Sequence, residues 1–284
     1  MNKKYVYDST DKEAARLKIL NEIYNKNTLY HLEKLMRPTS QILEIGPGVG
    51  LIGFELAKKL NAEGHYTCLD QDAQHIVRIK DRFSQSSHNK VSILQGSVIE
   101  INSIAELQNK KFDLIYCRWV IAHLPTEQIP QILESLYQRL NVGGYLVCEE
   151  GDVSTVQVLN SDHSNPSCLA FDKWYQFSFS LEKVFNLDLR MGAKIAALLA
   201  KISQAPPSVS SFQPRLTTLR EKMMFSYAIA STQLAKNYIQ SKDPSITEII
   251  GDMDTLELDL VKMAKDQTIQ IDYISNTFTS IRKS

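Results

Sequence analysis

A chain of 284 residues with 43% hydrophobic and 23% charged residues has the composition of a folded globular protein, with room for one large domain or a domain carrying a sizeable subdomain. Lys plus Arg and Asp plus Glu each number 32, and the zero formal net charge argues against a protein built chiefly to grip nucleic-acid phosphates. No uncharged apolar run approaches the ~18 residues of a membrane-spanning helix, and the N-terminal stretch lacks the apolar core of a secretory signal. With four widely spaced cysteines and no CxxC pattern, the expectation is a reduced, cytoplasmic protein that engages no membrane.

Residues 11–36 place Leu17, Leu20, Ile23 and Tyr24, then Leu29, Leu32 and Leu35, at helical spacing. This predicts two helices, broken near Asn25 and Asn27 and stopped by Pro38. From there strands and helices alternate. QILEIG reads as a first strand and GLIGFELAKKL as a helix; HYTCLD and DAQHIVRIKDRF repeat the pair. VSILQG is a third strand, followed by a short helical stretch around Ile104 to Leu107. FDLIYCRW is a fourth strand, TEQIPQILESLYQRL a long amphipathic helix, and VGGYLVCEE a fifth strand. Such alternation predicts an α/β chain whose parallel sheet is covered on both faces, and the near-continuous apolar strands suit burial on two sides. Beyond Asp152 the rhythm breaks. Residues 153–168 are polar and turn-rich, and FDKWYQFSFSLEKVF gathers Phe171, Trp174, Tyr175, Phe177 and Phe179. RMGAKIAALLAKI is a helix, APPSVSSFQP a short sixth strand, and residues 216–240 and 245–265 two further helices. The tail DYISNTFTSIRKS alternates as a last strand.

In ILEIGPGVG the first strand runs into Gly46, Gly48 and Gly50. Glycine tolerates positive φ and lets backbone N–H groups approach a ligand that a Cβ would hold off. The helix N-terminus that follows favours a negatively charged or polar group. The G-x-G-x-G spacing departs from the dinucleotide fingerprint, whose third glycine would fall on Leu51, and no Gly-Lys-Ser/Thr follows to make a phosphate loop. Glu44 sits two residues before the first glycine in an otherwise apolar strand end, where an unpaired carboxylate is costly. Asp70 closes the second strand, where a carboxylate can accept from two ribose hydroxyls. Gly96 and Ser97 close the third, small and polar beside an adenine-sized slot.

The ordered run ILEIGPGVG, YTCLDQD, LQGSV, FDLIYCRWVIAHL and LNVGGYLVCEEGD resembles the motif series of class I S-adenosylmethionine-dependent methyltransferases. The resemblance implies a Rossmann-like seven-stranded sheet with helices on both faces, an N-terminal helical lid and a helical insertion after strand five. Its last strand would run antiparallel near 273–282, with the strand near 208–213 as partner. The implied divisions are a lid at 1–38, a cofactor-binding core at 39–152, a substrate-covering segment at 153–205 and C-terminal helices and strands at 206–284. By the same resemblance, Glu44 and the backbone of Gly46, Gly48 and Gly50 would lie near the methionine part of S-adenosylmethionine. Asp70 would take the ribose, with Gln71 alongside. Gly96, Ser97 and Val98 would meet the adenine, and Cys117 and Arg118 would flank the sulfonium. Arg16 and Tyr7, in the lid, would be cofactor contacts.

Methyl transfer is an in-line displacement, so the protein's tasks are proximity, orientation and exclusion of water; a base is needed only for a protonated acceptor. His123 is the best base candidate, against a capping or packing histidine before Pro125. His163 and Asp152 are weaker candidates, against a solvated loop residue and a strand terminator. The EEGD cluster is where a carboxylate with a perturbed pKa is expected. The aromatic group reads as core packing first and as an apolar acceptor pocket second. No metal-ligand spacing is present. The expected function is methyl transfer to a small-molecule acceptor, with no nucleic acid and with a homodimer through the C-terminal helices. A protein methyltransferase and a non-catalytic cofactor-binding regulatory module stay open as alternatives.

Overall fold

The apolar runs become strands because each is sandwiched between helices. The computed structural model describes residues 10–84, 90–159 and 164–283. In chain order the elements are α1 (Asp11–Glu33), β1 (Gln41–Ile45), α2 (Leu51–Ala57), β2 (His65–Asp70), α3 (Ala73–Ser84), β3 (Val91–Gln95), β4 (Phe112–Arg118), α4 (Ile129–Gln138) and β5 (Leu140–Gly151). Then come β6 (Gln157–Leu159), α5 (Pro166–Phe185), α6 (Ile195–Ser203), β7 (Ser208–Phe212), β8 (Arg215–Leu216), α7 (Leu219–Ala230), α8 (Lys236–Lys242), α9 (Ser245–Ile250), α10 (Met253–Lys265), β9 (Gln270–Asp272) and β10 (Ser275–Ile281). They divide into two compact units. A sheet unit comprises Tyr24–Glu150, Met191–Ser211 and Asn276–Ser284; a helical unit comprises Met1–Ile23, Gly151–Arg190 and Phe212–Ser275.

The sheet unit holds seven strands in the order β3-β2-β1-β4-β5-β10-β7. Strands β1 to β5 pair in parallel, with Leu43 opposite Thr67 on one side and Ile115 on the other. The Gly143 N–H donates to the Arg282 carbonyl and the Arg282 N–H to Gly144, which sets the end of β10 beside the start of β5, so these two run antiparallel. Ile42, Leu56, Cys68, Ile79, Leu114 and Val147 form the buried core between sheet and helices. The seven-stranded fold and the partnering of β10 with β7 are as expected.

A first difference from expectation lies in α1. The first 23-residue helix is continuous, with no break at Asn25 or Asn27. Asparagine weakens a helix by offering its side chain to the local backbone. Here Asn25 Oδ1 instead accepts from Arg118, and the Thr28 hydroxyl donates to Glu149 Oε2 at 2.7 Å.

The helical unit contains α5, α7 to α10 and a second sheet, β6-β9-β8, whose strands pair antiparallel. Residues 216–265 form four helices rather than two. Pro244 precedes α9, Gly251 leaves it with φ 72°, and Asp252 caps α10 by accepting from the Asp254 and Thr255 N–H groups. Phe171, Trp174 and Phe225 pack edge-on or tilted with centroids 4.7–5.5 Å apart. Phe171 and Trp174 of the aromatic group, with Phe225 of α7, thus lie in the core of this unit. Among the described residues no helix is long and apolar enough to cross a membrane.

Candidate active site at the strand ends

The loop after β1 is shaped by its glycines. Gly46, Gly48 and Gly50 have φ of 63°, 58° and 71°, the left-handed region that side chains resist, and Gly50 is the N-cap of α2. A Cβ on Gly46 would also come within 2.4 Å of Val120 Cγ2. The Gly46 N–H donates to the Leu69 carbonyl at 2.9 Å, and the Gly48 N–H to Asp70 Oδ2 at 3.3 Å. Asp70 is buried at the end of β2; its Oδ1 accepts from the Asp72 N–H at 2.9 Å, and His75 Nδ1 lies 3.2 Å from Oδ2. One carboxylate thus ties the loop after β1 to the loop after β2.

Glu44 is buried beneath the same loop and accepts from the Tyr66 phenol and the Gly53 N–H. Burial raises its pKa to about 7, opposed by the Tyr66 hydrogen bond and the Arg118 charge. Gly53 lies inside α2, where glycine is unfavourable; a Cβ there would stand 1.8 Å from the Tyr66 hydroxyl and 2.5 Å from Glu44 Oε2. A glycine within a helical pattern is the sequence signal that marks this close approach, whereas nothing local announces Tyr66.

The ends of β4 and β5 carry a second network. Glu149 accepts from the Thr28 hydroxyl and, at 3.2 Å, from the Tyr116 phenol. Arg118 donates to Asn25 Oδ1 at 3.0 Å and to Thr28 Oγ1 at 3.2 Å. Glu150 Oε1 accepts from the Val120 and Ile121 N–H groups at 2.9 and 2.7 Å, which fixes the turn holding His123. Burial raises Glu150 to about 8 despite those donors. The EEGD cluster therefore holds the perturbed carboxylate, and it is Glu150.

The other expected residues stand in varied states. Gln71 is exposed. Gly96 follows β3, and Ser97 caps the turn that begins at Val98 by accepting from the Ile99 N–H. The Cys117 thiol is fully buried, turned toward the Val147 carbonyl, and its pKa is raised by Cys148 and by burial. Asp152 in the helical unit is buried and caps the turn Val153–Thr155. The Arg16 guanidinium is forked onto buried Glu13, with both contacts at 2.7 Å. Tyr7 and His163 lie outside the described residues. No group of three or more potential metal ligands occurs among the described residues. A cavity of about 580 Å³ opens among Asn102, Lys111, Glu134 and Arg139, at the opposite end of the strands, where Lys111 and Arg139 are occupied by backbone carbonyls.

Residues 43–146, which span Glu44, the glycine loop, Asp70 and Arg118, match the family described as a methyltransferase domain. This stretch is a methyltransferase domain. Beyond it, the chain is 32% identical over 152 residues to phosphoethanolamine N-methyltransferase 1 of Zea mays, covering 52% of this chain and 28% of that protein. It is 22% identical over 191 residues to the secondary metabolism regulator laeA of Fusarium oxysporum f. sp. lycopersici, covering 66% and 56%. The chain thus spans about a quarter to a half of these curated relatives. In fold, the methyltransferase domain and its surroundings match a candidate methyltransferase of Bacillus halodurans C-125 with a TM-score of 0.56, 12% identity and coverage of 90% and 99%.

Proposed function

We propose that this protein transfers the methyl group of S-adenosylmethionine to a small-molecule acceptor. The observation that carries the reading is the loop of three left-handed glycines closed by the Asp70 carboxylate. The cradle suits such a cofactor: open backbone at Gly46 to Gly50, a helix N-terminus behind it, and a carboxylate placed for a ribose. When bound, the cofactor supplies an electrophilic methyl on a sulfonium that leaves as a neutral thioether. Asp70 would hold the ribose hydroxyls, with Gln71 beside it, and Gly96, Ser97 and Val98 would border the adenine. The glycine backbone would lie along the methionine part, with Glu44 beside it accepting from the Gly53 N–H of α2. The backbone of Cys117 and the Arg118 side chain would line the acceptor side, with His123 in the adjoining turn as the base for a protonated acceptor.

The maize relative supports a small-molecule acceptor. The Fusarium relative, named as a regulator, favours a second reading in which the chain binds the cofactor and acts on a partner. Calorimetry with S-adenosylmethionine, S-adenosylhomocysteine and NAD decides the first point. Binding of NAD alone would overturn the proposal; binding of the sulfonium compound without turnover of any acceptor would favour the second reading. We also propose a homodimer through the C-terminal helices, which expose Leu234, Tyr238 and Leu258; light scattering that returns a monomer mass would dismiss it.

A further inference from the structure

Trp119 is the residue after β4, and three features set it apart. Its φ of 52° is left-handed, a conformation that a bulky side chain adopts only under constraint. Its backbone remains tied to the sheet, with its N–H donating to the Glu149 carbonyl at 2.9 Å, so the unusual φ turns the chain immediately beyond. That turn seats Val120 in the space a Gly46 Cβ would need, which places Trp119 one residue from the wall of the glycine loop.

The indole is also held on two sides. The Tyr24 ring meets it edge-on with centroids 4.9 Å apart, and the Arg118 guanidinium lies 4.9 Å from its centroid. Arg118 is itself fixed by Asn25 and Thr28. Yet the buried indole Nε1–H has no hydrogen-bond partner among the described residues. A buried donor left unmade costs free energy, and an indole N–H can only donate.

We infer that Trp119 determines acceptor specificity: its indole N–H donates to an oxygen of the methyl acceptor, which therefore carries a carboxylate or phenolate oxygen near the methylated atom. The inference rests on the methyltransferase reading above. A donor-only N–H needs an acceptor atom, and the neighbouring Arg118 charge favours an anionic oxygen over an ammonium group.

The chain has two tryptophans, so a ¹⁵N spectrum contains two indole signals, and Trp119→Phe assigns them while keeping an aromatic ring in place. The probe is benzoate, with benzylamine as its cationic counterpart, each added to protein saturated with S-adenosylhomocysteine. Benzoate should move the Trp119 signal, and Trp119→Phe should weaken benzoate binding about tenfold while leaving S-adenosylhomocysteine affinity within about twofold. The inference is overturned if benzoate gives no response, if benzylamine moves the signal as strongly, or if the variant binds benzoate like the wild type. It is equally overturned if S-adenosylhomocysteine alone moves the signal and its affinity falls tenfold in the variant, because the donor then serves the cofactor. Failure of wild-type protein to bind S-adenosylhomocysteine at all would remove the methyltransferase reading itself, an outcome separable from the others.

Discussion

Glu44 and Glu150 of the sheet unit are held in a different way from the charged groups of the helical unit. In the helical unit each such group is met by a counter-charge or by several donors. Glu13 holds Arg16, Glu182 holds Arg190 and Asp272 holds Arg215. Lys222 donates to the carbonyls of Asp266 and Ile269, and the Asp266 carboxyl is held down to about 2 by the hydroxyl and N–H of Thr268. In the sheet unit, Glu44 and Glu150 are given only a phenol and backbone N–H groups as donors, and burial lifts them to about 7 and about 8. A carboxyl that is well supplied with donors or a counter-charge serves as a staple. One that is undersupplied turns neutral near physiological pH, and the pH response of the molecule then gathers at the strand ends.

The contrast breaks most visibly at Glu150. Its folded value of about 8 lies above the ordinary 4.5, so the native protein keeps a proton that the unfolded chain has released. Stability should therefore fall as pH rises from about 4.5 to about 8, by on the order of 4 kcal/mol from this group. Urea unfolding at pH 5, 6.5 and 8 should show the decline, and Glu150→Gln should remove this group's share of it while the share of Glu44 remains. An equal slope in the variant would place the proton elsewhere. Next comes Gly53→Ala, whose methyl has no room beside Tyr66 and Glu44; a loss of about 2–3 kcal/mol is expected in urea unfolding. Asp70→Ala should weaken S-adenosylhomocysteine by about 2 kcal/mol in calorimetry, through the lost charge-assisted hydrogen bonds. An unchanged Kd in folded protein would reassign Asp70 to holding the two loops together. Smallest is Arg190→Ala, where the exposed half of an ion pair should cost less than about 1 kcal/mol of thermal stability, with cofactor affinity unmoved.

The sheet was legible because β1, β2, β4 and β5 are largely buried on both faces, which writes near-continuous apolar runs into the chain, and the glycine loop because left-handed φ restricts residue choice. The second sheet was not. Its strands of two or three residues, such as Arg215–Leu216, are too short to show any period. The unbroken α1 was misread because Asn25 and Thr28 draw their partners from Arg118 and Glu149, roughly 90 to 120 positions away. Which carboxylate of the EEGD cluster is perturbed, Glu150, and the role of Trp119 were not legible for the same kind of reason. One is defined by backbone donors on another strand end, the other by a backbone angle.

The four cysteines offer a last consequence. Cys68, Cys117 and Cys148 lie on β2, β4 and β5, Cys168 lies on α5, and all four are free and buried. A thiol-reactive dye can reach them only when the surrounding structure opens, so each thiol is a built-in clock. Three of these clocks run in the sheet unit and one in the helical unit. Timed labelling followed by peptide mapping would show whether the two halves of the chain come undone together or in turn.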